Sequence, residues 1–208
     1  MTTDEEQVEN LKRWWKDNGA SVIAGIVIGV GSLIGYQYWT HYQESNAVQA
    51  SSHFMQMVEA IESDNLETVS EQANLLISDY ASSEYATMAH LALAKGFVEA
   101  GDYEKAQHQL QQVIGNAGNS PLGFIARKRL AAVQLQMGQI DQALTTLSIE
   151  FPAQFAAVVE ELKGDLYASQ GKKTDAVNAY RKAQQGNPGP ASAELLQQKI
   201  DDLGLGIS

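Results

Sequence analysis

Residues 18–40 read NGASVIAGIVIGVGSLIGYQYWT, and the way this stretch is interpreted decides the rest of the chain. It holds 23 residues without one Asp, Glu, Lys or Arg. As a helix it extends about 35 Å at about 1.5 Å per residue, enough to cross the hydrocarbon core of a bilayer. Trp14 and Trp15 stand before it, and Tyr36, Tyr38, Trp39 and Tyr42 lie at its far end, where amphipathic rings favour the headgroup layers. The expectation is one transmembrane helix over 18–40. A cleaved signal peptide is the alternative, because Val48-Gln49-Ala50 offers small residues in a cleavage-like arrangement. The apolar run is long for such a peptide, and that site lies well past the second aromatic belt. A buried helix of a soluble protein would leave both belts unexplained.

Basic residues set the orientation. Lys12, Arg13 and Lys16 come just before the span, and the next Lys or Arg after it is Lys95. Loops rich in Lys and Arg stay in the cytoplasm, so residues 1–17 are expected there and residues 41–208 on the opposite side. Within the span, Gly25 and Gly29 form one Gly-x-x-x-Gly pair, and Gly31 and Gly35 form a second on another face. Small residues four apart let helix backbones approach closely, so these four are the expected membrane-helix packing positions, although glycine is also common in such helices without a packing role. The run from Gly29 to Gly35 has a superficial likeness to a dinucleotide loop, but no strand precedes it and it lies inside the apolar block.

Beyond Thr40 prolines are sparse and β-branched runs are missing, so the region is expected to be helical. A frame recurs in it: Leu93, Ala94, Phe97, Gly101, Tyr103, Ala106, Leu110; then Leu130, Ala131, Gly138, Ile140, Ala143, Leu147; then Gly164, Tyr167, Gly171, Ala176, Tyr180, Ala183, Pro188. Glycines 101, 138 and 171 fall 37 and 33 residues apart, bracketing the period of about 34 of the tetratricopeptide repeat (TPR). Helices packed as antiparallel pairs need small residues where they cross, supplied by Ala94 with Ala106, Ala131 with Ala143 and Gly164 with Ala176. The glycines would end the first helix of each pair in a left-handed conformation. Gln134 departs from the pattern, which prefers an aromatic there. A degenerate copy without a turn glycine is expected around Ala60, Ile61, Ala73 and Ile77, its helix continuing from the span. Leu195, Leu196, Ile200 and Leu203 suit a capping helix over 191–203. The fold class is therefore all-α: one N-terminal transmembrane helix followed by a TPR-like α-solenoid over 41–208, with a degenerate first repeat, three recognisable repeats and a cap.

Charge and composition narrow the chemistry. The net charge is −11 with no dense basic cluster, which opposes nucleic-acid binding. Cysteine is absent, so there is no disulfide framework or thiolate nucleophile, and the four histidines at 41, 53, 90 and 108 show no metal-binding spacing. Adjacent carboxylates at Glu160-Glu161 and Asp201-Asp202 diverge on a helix and suit solvated faces. No nucleophile elbow or phosphate loop is present, so neither an enzyme activity nor a cofactor is expected. Helical repeats instead bind polypeptides on the concave face lined by the first helix of each pair. The candidate positions are Met88, Leu91, Lys95, Val98, Ile125, Lys128, Leu135, Val158 and Glu161, of which at least half double as core between repeats. Eight acidic residues and no basic one lie between Glu44 and Ala94, a solvated face or an attractor of basic segments.

The stretches Gln7-Val8-Glu9, Lys12-Arg13-Trp14-Trp15, Asn18-Gly19, Gly29-Val30-Gly31, Leu33-Ile34-Gly35 and Tyr38-Trp39, together with Leu130 to Leu135 and Ala191 to Ile200, resemble the YfgM-type ancillary subunits of the bacterial SecYEG translocon. The resemblance implies an inner-membrane protein with a periplasmic TPR-like domain. It further implies association with SecYEG and the periplasmic chaperone PpiD, and transfer of exported polypeptide clients to periplasmic chaperones. Two other functions compete with this one. The chain could be a scaffold for another envelope complex, or a stress-response regulator acting through the tail, where Val8, Leu11 and Trp15 form a small apolar stripe.

Overall fold

The computed structural model describes residues 4–186 and 189–204; among them every regular element is helical. The α-helices are α1 (Asp4–Glu62), α2 (Leu66–Asp79), α3 (Glu84–Glu99), α4 (Tyr103–Ala117), α5 (Pro121–Gln136), α6 (Ile140–Thr146), α7 (Ala156–Ser169), α8 (Lys173–Gln185) and α9 (Pro190–Asp202), with one 3₁₀ turn at Ala153–Phe155. The expected repeat position Pro188 lies outside the described residues, as do 1–3 and 205–208. The chain divides into two units, residues 1–49 and 50–208.

The first unit is the N-terminal part of α1. Its apolar side chains project outward on every side, with Ile28 69%, Leu33 65% and Tyr38 74% exposed. Withdrawing one such side chain from water is worth about 1.5–3 kcal/mol, so a helix apolar all round demands a non-aqueous surrounding. It is long and apolar enough to cross a membrane. Ser32 donates its hydroxyl to the Ile28 carbonyl at 2.7 Å, so this polar group within the apolar run is satisfied inside the helix. A methyl group at Gly19 would touch the Trp15 indole at 3.2 Å, whereas one at Gly25, Gly29, Gly31 or Gly35 would meet nothing within 4 Å. Both glycine faces are therefore open.

The second unit begins in the last turns of α1. Its helices follow as pairs: the end of α1 with α2, then α3 with α4, α5 with α6 and α7 with α8, closed by α9. Hydrogen bonds at the pair turns repeat. At the second turn the Asp102 amide donates to the Phe97 carbonyl at 2.8 Å and the Gly101 amide to Val98 at 3.0 Å, while Gly101 holds φ +74°. Gln139 and Gly138, then Lys172 and Gly171, make the same two bonds. This is the Schellman closure, and its central residue must be left-handed, which glycine adopts without a Cβ penalty.

The first pair makes the same closure without glycine. Asp64 takes φ +55°, the Asn65 amide donates to Ala60 at 2.9 Å and Asp64 to Ile61 at 3.2 Å. Met57 and Val69 occupy the crossing positions equivalent to Ala94 and Ala106 and are buried, while the small Ala60 and Ala73 fill places that hold Phe97 and Leu110 in the next repeat. Large and small are interchanged across the pair, so its volume is kept while its sequence signature is lost. Ile61, expected in this frame, is 42% exposed.

The third pair is shortened. Helix α6 has seven residues, and after it Phe151 and Phe155 turn back onto Phe124, with ring centroids 5.4 and 5.8 Å away. Gln134, the residue that breaks the repeat pattern, is buried and accepts a hydrogen bond from the Thr146 hydroxyl at 2.8 Å. In the fourth pair Gly164 lets the Tyr180 ring lie against α7 where any methyl group would collide with it. The cap docks through Leu196 and Ile200 onto Val177, Tyr180 and Ala183, leaving Leu195 at the surface.

Candidate functional site

The first helices α3 and α5 begin at serine caps. Ser83 and Ser120 accept from the amides of Ala86 and Gly123, and Pro121 supplies the preset first helical position after Ser120. Gly123 fits because its backbone lies against the Gly118 carbonyl at the end of α4, leaving no room for a side chain. The caps locate the starts of both helices, and burial of Ala94 on α3 and of Ala126, Leu130 and Val133 on α5 sets the faces they present. They present Lys95, Val98 and Glu99 of α3 opposite Arg129, Ala132 and Gln136 of α5, with Val133, Leu110 and Tyr103 lining the space between. The result is an open groove of about 550 Å³, mostly apolar in its lining. That volume falls in the range of sites that hold small ligands or a few peptide residues, about 300–1,000 Å³.

Charge is unevenly placed around it. Lys95 and Glu99 make an exposed ion pair at 3.5 Å, and Lys105 meets Asp102 at 2.7 Å while lying over the Phe97 ring. The Lys105 side chain, and then its backbone amide, hold the Asp102 carboxyl below the usual range. Helix α5 contains Arg127, Lys128 and Arg129 and no acidic residue. Among the described residues none of these three meets a carboxylate within ion-pair distance, and Arg127 Nε is buried without a hydrogen-bond partner. Arg129 alone of the three thus brings a cation to the apolar groove, in a chain of net charge −11, while Arg127 and Lys128 lie on neighbouring rotations of α5.

Of the nine positions expected on the concave face, Lys95 and Val98 line the groove. Met88, Ile125 and Lys128 are half-buried, and Val158 is exposed. Leu91 packs against the α3–α4–α5 core and Leu135 against the α5–α6–α7 core. On α5 the groove is lined by Arg129, Ala132 and Gln136, one residue and about 100° of helix rotation away from the expected Lys128 and Leu135.

Glu161 is engaged inside the chain. Lys199 of α9 bonds to Glu161 at 2.8 Å and to Asp165 at 2.9 Å, and Asp165 also accepts the Tyr180 hydroxyl at 2.8 Å. Lys199 lies 5.5 Å from the Tyr180 ring centre. Burial opposes the Lys199 charge, but hydrogen bonds to Glu161 and Asp165 outweigh it and raise its pKa. Burial and then the bond to Asp165 push Tyr180 upward as well. This cluster closes the C-terminal end of the repeats.

Two histidines that sequence alone leaves unassigned join helix pairs. His53 Nδ1 lies 2.8 Å from Gln72 Oε1, and His90 Nδ1 lies 2.6 Å from Gln109 Oε1, each ring N–H donating across its pair. Among the described residues no group of three or more His, Asp or Glu side chains could hold a metal ion.

The chain matches the model of the tetratricopeptide repeat-like domain family over residues 12–205. It is 33% identical over 202 residues to an ancillary SecYEG translocon subunit of Escherichia coli K12, covering 97% of both chains. It is 31% identical to the protein of that name from Haemophilus influenzae, covering 96% of this chain and 97% of the relative. Among solved structures, MamA from Desulfovibrio magneticus RS-1 superposes with a TM-score of 0.61 at 18% identity, covering 76% of this chain and 86% of that one. A second MamA structure gives 0.60 at 16% identity, covering 75% and 83%. At these identities the MamA likeness concerns the fold.

Proposed function

Because the chain belongs to the ancillary SecYEG translocon subunit family and is built as a tetratricopeptide repeat-like protein, we propose that it is a non-enzymatic accessory of the Sec translocon. In this role α1 spans the bacterial inner membrane once, surrounded by lipid, with residues 1–17 in the cytoplasm and the repeats in the periplasm. The repeat domain receives newly exported polypeptides and passes them to the periplasmic chaperone network in association with PpiD. The observation that supports this most strongly is near-full-length likeness to named translocon subunits, over anchor and repeats together. Physical chemistry adds a reason for the architecture. A binder tethered beside a translocon exit meets emerging chains at an effective concentration of about a millimolar, so weak contacts in an open groove suffice.

The test is photo-crosslinking in living cells, with probes at Gly25 and Gly31 in the span and at Val98 and Lys128 in the repeat domain, followed by mass spectrometry. Translocon and PpiD adducts from the span, together with many exported chains from the repeat probes, are the expected result. A single folded partner with no translocon component would replace this function with that of a scaffold for another envelope complex. Activity lost on deleting residues 1–9, with the repeats dispensable, would instead assign a regulator acting through its tail.

A further inference from the structure

We propose that the groove between α3 and α5 selects extended peptide segments in which an apolar side chain is flanked by carboxylates; this rests on the repeat domain receiving exported chains. The floor is apolar and open: Val98 is 38% exposed, and Ala132, Val133 and Leu110 continue it inward. One apolar side chain of a ligand can be buried there. The length also fits. From Arg129 to Gln136 the α5 face rises about 10 Å, the span of about three extended residues, and in an extended chain the neighbours of an inward side chain point away from the floor.

The rim decides what those neighbours should be. Among the described residues Arg129 of α5 meets no carboxylate within ion-pair distance, and opposite it Lys95 makes an exposed contact with Glu99, a kind of pair worth little in water. A guanidinium offers a two-pronged fork that fits a carboxylate, which makes Arg129 the specific element and Lys95 a supporting charge. The net charge of −11 opposes acidic ligands at long range. At physiological salt, however, charges beyond about 8 Å are largely screened, so a docked segment meets chiefly Arg129, Lys95 and Glu99 of the lining, a local balance of one positive charge. Such segments would be captured at Arg129 and Lys95 and repelled by the acid-only stretch from Glu44 to Ala94.

The experiment uses the full chain in phosphatidylcholine nanodiscs and fluorescence anisotropy with three labelled heptapeptides differing only at their centres: Asp-Leu-Asp, Asn-Leu-Asn and Lys-Leu-Lys. The acidic probe should bind at least tenfold more tightly than the neutral one and weaken steeply with salt. Arg129→Glu should remove that preference, while Arg129→Gln should bring the acidic probe close to the neutral one. Unchanged circular dichroism would show that both variants fold. Equal binding of all three probes, crosslinked at Val98, overturns the selectivity while leaving a client-receiving groove. Absence of probe binding, alongside exported-chain adducts at Lys128 in cells, also overturns it and sends clients elsewhere on the domain. A change of particle mass with concentration that Arg129→Glu abolishes overturns it by giving the groove to a second copy.

Discussion

Replacing Lys199 by Met should loosen the C-terminal cap without unfolding the repeats. Lys199 makes two charge-assisted bonds, at 2.8 and 2.9 Å, from a side chain 26% exposed to partners 26% and 31% exposed. Bonds to charged groups contribute about 1.5–3 kcal/mol each when shielded, and water recovers a substantial part at this exposure. A net loss of about 2 kcal/mol follows, because Met keeps the length of the stem but leaves Glu161 and Asp165 facing each other uncompensated. At tenfold per 1.4 kcal/mol, amides of α9 should exchange about 30-fold faster, measured by hydrogen-exchange mass spectrometry on the full chain in detergent. Those of α3 and α4 should not change. Adding Glu161→Gln should restore part of the protection. The pH dependence has a definite sign: the folded Lys199 pKa is raised, so the contribution is complete below the ordinary value of 10.5 and is lost as pH climbs through the higher folded value. Unchanged α9 exchange in the single variant would refute the assignment of this cluster as a cap latch.

Two further substitutions probe the turns. Gly138→Ala should cost about 1 kcal/mol in a urea melt of the full chain, since placing an alanine at φ +70° costs about 1–2 kcal/mol and the stiffer unfolded chain returns about half of that. Asp64→Gly should act in the opposite direction, gaining about 0.5 kcal/mol at φ +55°, because relief of left-handed strain exceeds the added flexibility of the unfolded chain; a loss there would mean that the Asp64 side chain stabilises the turn.

The turn glycines made three of the four helix pairs visible in sequence, because a left-handed closure strongly favours one residue type. Where that constraint was met by Asp64, the signal vanished although the backbone closure persisted. Met57 and Val69 hid the same pair for a different reason: packing conserves the summed volume of contacting side chains, and a repeat frame read position by position does not register an interchange of large and small. Helix α6 was equally opaque. It is followed by Phe151 and Phe155 packing on Phe124, a contact across a turn that no local periodicity records.

On α5 the lining of the candidate groove lies one residue of rotation away from the positions expected from sequence, for reasons visible in its charges. Lys128 and Arg129 are adjacent and equally basic, so only the face that α5 buries, through Ala126, Leu130 and Val133, decides which of them enters the groove. Glu161 looked available because its partner lies 38 residues away on α9. The polar pairs that are legible only in three dimensions share a pattern: His53 with Gln72 and His90 with Gln109 both join residues 19 apart, while Gln134 with Thr146 and Asp165 with Tyr180 join the helices of the next two pairs. Each helix pair thus contains a side-chain hydrogen bond between its own two members. A buried polar group left unpaired is costly, so each bond penalises sliding of one helix along the other. Fixed registers within the pairs hold the first helices at set rotations. Between pairs, α4 packs on α5 through Leu110, Val113, Ala126 and Leu130, and this brings Val98 and Arg129, on separate helices, to one groove.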